Sequence, residues 1–126
     1  MPDAAALLHA VDRLADRFRA LPQSRLLGAV PGYPSRAAAG LALADRLAAE
    51  AQRLEEGAES APRVVPDAGA FAVGDQLAVA GHDLVVALAP LADEHPLETA
   101  DGARTTAAGL LAEAVAAVGA VAELCG

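Results

Sequence analysis

Residues 74–80 read GDQLAVA and residues 81–87 read GHDLVVA, a direct seven-residue repeat. Two helical turns advance about seven residues, so such a repeat belongs to a helix seated in a helical seam. At about 100° per residue, Gly74, Leu77, Ala78, Gly81, Leu84, Val85 and Leu88 share one face. Gly in a helix interior costs about 1 kcal/mol relative to Ala. Gly74 and Gly81, one heptad apart in that face, predict close approach of a neighbouring helix. A second apolar strip, Ala72, Val79 and Val86, lies on the other side. A helix apolar nearly all round is covered on most sides. The second strip therefore predicts a homodimer with this helix near the interface.

Three more segments carry helical spacing. Leu7, Leu8, Val11, Leu14, Ala15, Phe18 and Leu21 mark a helix over about 3–20, with Asp3 as its N-cap and Pro22 past its end. Leu41, Ala44, Leu47, Ala48, Ala51 and Leu54 mark one over about 35–56, opened by Ser35 and closed by Gly57. The repeat helix is expected over about 67–89, capped by Asp67. Leu110, Leu111, Ala114, Val118, Val121 and Cys125 mark the last, over about 101–124, capped by Thr99 or Asp101. Between the first two, Gly28 ends a short helical turn and Pro31-Gly32 suits a type II turn. Arg46, Glu50 and Arg53 read as a solvated charged column. The fold expected is all-α: an antiparallel up-down four-helix bundle, one domain over 1–126.

Composition agrees with helices and excludes other classes. Ala fills 35 positions, and the aromatics are Phe18, Tyr33 and Phe71. Such a chain is too poor in aromatic and β-branched residues for a sandwich or barrel. At 55% hydrophobic it is too apolar for disorder. Lys, Ile and Asn are absent, the mark of GC-rich coding. The net charge of −8 sits wholly in residues 57–126, which hold ten acids against two Arg. Residues 1–56 balance seven acids with seven interleaved Arg. No basic stripe forms, so no nucleic-acid partner is expected. The longest apolar stretch, residues 105–122, is interrupted by Glu113 and is largely Ala, so no membrane span is expected. A single Cys and an N-terminus without a basic leader fit the cytoplasm.

Chemistry has few places to reside. Asp75, Gln76, His82 and Asp83 sit in columns beside the Val79–Val86 strip and form the candidate polar site. Asp75 and His82 are two turns apart, about 10 Å by helical rise, and do not touch. They frame a pocket only with groups from elsewhere; otherwise they fix register in a helix seam. Val30, Tyr33, Arg25 and Arg36 surround the Pro-Gly turn and form a candidate partner-contact loop, with Arg36 at a helix start suited to an anion. His95 follows Asp93 and Glu94 in an acidic loop without metal-ligand spacing, and His9 reads as a surface partner of Asp12. Cys125, at a helix C-terminus, is poorly placed to be a thiolate nucleophile. No Walker motif is possible without Lys, and no Gly-x-Ser-x-Gly elbow occurs. The function expected is a non-enzymatic interaction or regulatory module, homodimeric and open to a protein partner, with no cofactor and no metal. The alternative is a small-molecule- or metal-binding bundle around Asp75, Gln76, His82 and Asp83.

Overall fold

The computed structural model describes residues 4–57, 59, 61 and 64–126. Among these the chain forms five helices and one two-stranded hairpin. Helix α1 (Ala4–Ala20) buries Leu7, Val11, Leu14, Ala15 and Phe18, one stripe at 3,4 spacing. Arg17 and Arg19 occupy its last turn, where the negative end of the helix dipole favours cations. The Asp3 cap falls outside the described residues. Pro22 stops α1, and a single turn, α2 (Gln23–Leu26), follows. Gly32 takes φ +85°, and Val30 and Tyr33 exchange backbone hydrogen bonds of 3.2 and 3.1 Å across Pro31-Gly32. Ser35 Oγ accepts from Ala38 N at 2.9 Å and opens α3 (Arg36–Glu56), which ends at Gly57 with φ +89°.

The segment after α3 turns back along it. Gln52 Nε2 donates to Ala61 O at 2.8 Å, and Asp45 Oδ1 accepts from Val65 N at 2.9 Å. The chain thus returns to the start of α3 before α4 (Val73–Leu88) begins beside Gly40. A helix starting there runs in the same direction as α3, and Ala51 and Ala80 accordingly line one groove further along. The expected up-down alternation assumed a tight connection, whereas Ala61 and Val65 lie back along α3, beside Gln52 and Asp45. Asp67 is not an N-cap either. Its Oδ1 accepts from Gly69 N at 3.0 Å, a local turn that competes with helix. Gly69 takes φ +97°, a 3₁₀ turn (Ala70–Ala72) follows, and α4 starts at Val73.

Helix α4 packs most extensively, against both α3 and α1. It runs antiparallel to α1, with Gly81 against Val11 and Gly74 against Ala15. A Cβ at Gly81 would lie 2.4 Å from Val11 Cγ1, and one at Gly74 would lie 2.9 Å from Ala15 O. Gly40 does the same work in α3, facing Phe18 at 2.8 Å and Val73 at 2.6 Å, so α1, α3 and α4 meet there.

After α4 the structure again departs from expectation. Strands β1 (Pro96–Glu98) and β2 (Arg104–Thr106) pair antiparallel where an acidic loop and the start of the last helix were expected. Thr99 N donates to Ala103 O at 2.8 Å, Thr99 Oγ1 accepts from Ala103 N at 3.0 Å, and Gly102 takes φ +91°. Thr99 and Asp101 therefore build a hairpin end, not a helix cap. The cap of α5 (Ala107–Cys125) is Thr106, whose Oγ1 accepts from Gly109 N at 3.1 Å. Helix α5 packs on α1 and α3, burying Leu110, Leu111, Ala114, Val118, Val121 and Cys125. Two helical stretches, Ala70–Leu88 and Ala107–Cys125, are long and apolar enough to cross a membrane by length and composition, with mean hydropathy 1.3 and 1.7. Each also supplies core residues, Leu77 and Leu84 from the first and Val118 from the second.

Candidate functional site

The polar residues of α4 divide between its two neighbours. His82 Nε2 meets Asp12 Oδ1 of α1 at 2.7 Å. Arg19 Nε donates to Asp75 Oδ1 at 2.8 Å, and its Nη1 to Asp16 at 3.1 Å. The bond to Asp75 raises the Arg19 pKa. On the other side, Gln76 Nε2 donates to Pro66 O at 2.7 Å and ties the returning segment to α4. Gln76 Oε1 is buried without a hydrogen-bond partner. The structure therefore brings Asp75, Gln76 and Asp83 to one groove, while His82 turns away to α1. His82 and Asp75 cross-link α4 to α1, while Gln76 and Asp83 face α3 and the returning chain.

That α3 side holds a groove of about 540 Å³. Ala48 and Ala51 of α3, Val65 and Pro66 of the returning segment, and Val79 and Ala80 of α4 supply apolar lining. Glu55 of α3 and Asp83 of α4 stand along it, and Asp75 reaches it from the far side of α4. Outside the groove, Phe71 and Val86 are 65% and 66% exposed, and Val79 is 63% exposed. Val79 and Val86 form an apolar outer strip on the most extensively packed helix of the fold, and Phe71 stands in the turn before it.

The Pro-Gly loop mainly closes the end of the helices. Val30 and Leu26 are buried, Tyr33 is half-exposed over a small crevice between α3 and α5, and Arg25 is exposed. Arg36 is not available to an anion. Its Nε donates to Cys125 O at 3.2 Å and its Nη1 to Arg25 O at 3.1 Å. Helix α5 has no basic residue in its own last turn, and Arg36 and Arg17, which donates to Ala122 O at 3.3 Å, answer its dipole.

One polar cluster was missed by the sequence reading. Glu50 is buried, and its carboxylate accepts from Ala100 N at the hairpin end. Arg53 Nε donates to Glu98 O at 2.9 Å, and its Nη2 pairs with Glu98 Oε1 at 3.2 Å. The column Arg46, Glu50 and Arg53 is therefore not a plain solvated face: Glu50 and Arg53 anchor the hairpin, while Arg46 is exposed. Glu50 sits one heptad after Leu43, which is buried, and that spacing was the signal. Burial pushes the Glu50 pKa up, outweighing the Ala100 hydrogen bond and the Arg46 charge that pull it down.

The remaining candidates are structural. His95 O and Asp93 O accept from Ala107 N and Ala108 N at 2.9 and 3.0 Å, so the acidic loop satisfies the first amides of α5. His9 is exposed, and Asp12 meets His82. Cys125 is buried, which pushes its thiol pKa up. Among the described residues no group of three or more His, Cys, Asp or Glu is placed to hold a metal. Comparison with protein-family models, with curated proteins and with solved structures finds no match.

Proposed function

We propose that this chain is a non-enzymatic interaction module, a bundle of its four long helices that self-associates through the outer strip of α4. The observation that carries the reading is the exposure of Val79 and Val86 on α4 and of Phe71 in the turn that leads into it, while Leu77, Leu84 and Leu88 of the same helix are buried. Contiguous exposed apolar residues mark interaction sites more often than scattered ones do. Toward α1, Asp75 and Asp12 are held by Arg19 and His82 rather than left open to a second copy. In a two-fold contact each residue is used twice. Each fully buried Val or Phe contributes about 1.5–3 kcal/mol. Six such side chains, each about two-thirds exposed, supply about 6–12 kcal/mol, within the range of an association cost of about 4–15 kcal/mol. The dimer is therefore one that dissociates on dilution. A cytoplasmic setting accompanies this reading, supported by the single buried thiol.

Light scattering across a concentration series tests it. The wild type shifts from monomer to dimer mass, and the double variant Val79→Glu/Val86→Glu remains monomeric with unchanged circular dichroism. A wild type that stays monomeric at every concentration refutes self-association. A second reading, a small-molecule site, is supported by the groove, whose volume lies within the usual range of about 300–1,000 Å³. A mass increment in native mass spectrometry that survives Val86→Glu would favour it.

A further inference from the structure

The groove and the outer strip share Val79 but differ in charge. Toward α1 the acids of the α4 face are paired. Toward α3, Glu55 and Asp83 make no hydrogen bond or ion pair among the described residues. No Arg or His lines the groove among the described residues, and Ala48, Ala72 and Val79 lie between its acids. Carboxylates beside a low-dielectric apolar surface focus their field and draw cations. Asp75 and Asp83 are about 12 Å apart by helical rise, so a compact cation reaches only one of them. A helix laid along the groove does better. It sets apolar residues at i, i+3, i+4 and i+7 on the floor and basic residues against both rims.

We propose that the groove between α3, α4 and the returning segment docks a basic amphipathic segment of a partner protein, its apolar face on Ala48, Ala72 and Val79 and its Lys or Arg residues against Glu55 and Asp83. A second copy of this chain is the wrong occupant. Its net charge is −8, it has no Lys, and its Arg residues in 1–56 alternate with acids. The proposal goes beyond self-association, because Phe71 and Val86 lie outside the groove.

Fluorescence anisotropy with synthetic peptides tests it. The probe is a labelled helix of Leu, Ala and Lys, about 16 residues long to span the groove. Its controls replace Lys with Glu, or Leu with Ser. The Lys peptide binds saturably at one site, more weakly as salt rises, and both controls fail to bind. Glu55→Gln/Asp83→Asn weakens binding by about fivefold or more and flattens the salt dependence. Ala48→Leu, which fills the floor, removes binding while the circular dichroism stays helical. Val86→Glu leaves binding unchanged whether or not the wild type dimerises, which separates this proposal from self-association. The proposal is overturned if the Glu peptide binds equally well, or if Glu55→Gln/Asp83→Asn leaves affinity and salt dependence unaltered. It also falls if the Ser peptide or spermine binds as tightly as the Lys peptide, since the groove is then a cation site only.

Discussion

Replacing Gly81 with Ala should destabilise the protein, although Ala is the better helix former. The exchange gains about 1 kcal/mol of helix propensity. Against that, the new Cβ would lie 2.4 and 2.7 Å from the two methyls of Val11 and 3.0 Å from its Cβ. Carbon contacts settle near about 3.5–4.0 Å, so the overlap is more than a side chain absorbs by small shifts. Val11 is 1% exposed and β-branched, so it has one favoured rotamer in a helix and no space to turn into. Overpacking of this kind costs about 1–3 kcal/mol, and its upper part applies here. The net expectation is a loss of about 1–2 kcal/mol. Gly119 supplies the control. It lies within α5, exposed, with nothing within 4 Å of an added Cβ. Gly119→Ala should therefore stabilise by about 1 kcal/mol. Urea denaturation followed by circular dichroism measures both. Adding Val11→Ala to Gly81→Ala removes the overlapping methyls, and the double-mutant cycle should show a favourable coupling of about 1 kcal/mol or more. Equal stabilisation by the two Gly→Ala changes, or a cycle with no coupling, would refute close approach of α1 and α4 at this point.

Other perturbations separate the remaining contacts. Ser35→Ala and Thr106→Ala each remove a side-chain cap and should cost about 1 kcal/mol in the same denaturation assay, with additive effects because the caps open different helices. Arg36→Ala leaves the Cys125 and Arg25 carbonyls without their guanidinium and should cost about 1–3 kcal/mol; a surface-like cost near zero would show that water replaces it. Glu50 governs a pH effect. Its folded pKa is raised above the ordinary 4.5, so between those values the folded state binds more protons than the unfolded one. Stability therefore falls as pH rises through that window. Asp101 is shifted downward, by hydrogen bonds from Thr99 and Ala103, and acts only at lower pH. Glu50→Gln keeps an acceptor for Ala100 N and should flatten the slope above pH 4.5, whereas an identical slope in wild type and variant would place its origin elsewhere.

Helical content was legible because apolar 3,4 spacing and caps such as Ser35 are local signals. The Pro31-Gly32 turn was legible for the same reason: Gly32 supplies the positive φ that the turn demands. Direction was not legible. The composition of residues 57–66 marks a connection, but only the bonds from Asp45 and Gln52 show it running back along α3. The hairpin carried a signal that was passed over, Asp101-Gly102 between Leu-Glu-Thr and Arg-Thr-Thr. Acidic residues around it suggested a loop, and Thr99 looked like a helix cap because cap and turn chemistry use the same side chains. His82 parts from Asp75, Gln76 and Asp83, which line one groove, for a geometric reason. Residues adjacent on one helix face can each turn to a different neighbouring helix, and so His82 went to Asp12 while Gln76 went to Pro66.

The outer strip of α4 can be probed where it stands. Val86→Cys places a reactive thiol on an exposed position, while the native Cys125 is buried. The rate of its modification by a thiol reagent should fall as protein concentration rises, in step with the dimer mass, because the strip becomes covered. A modification rate that stays constant from the most dilute to the most concentrated sample would contradict self-association through α4.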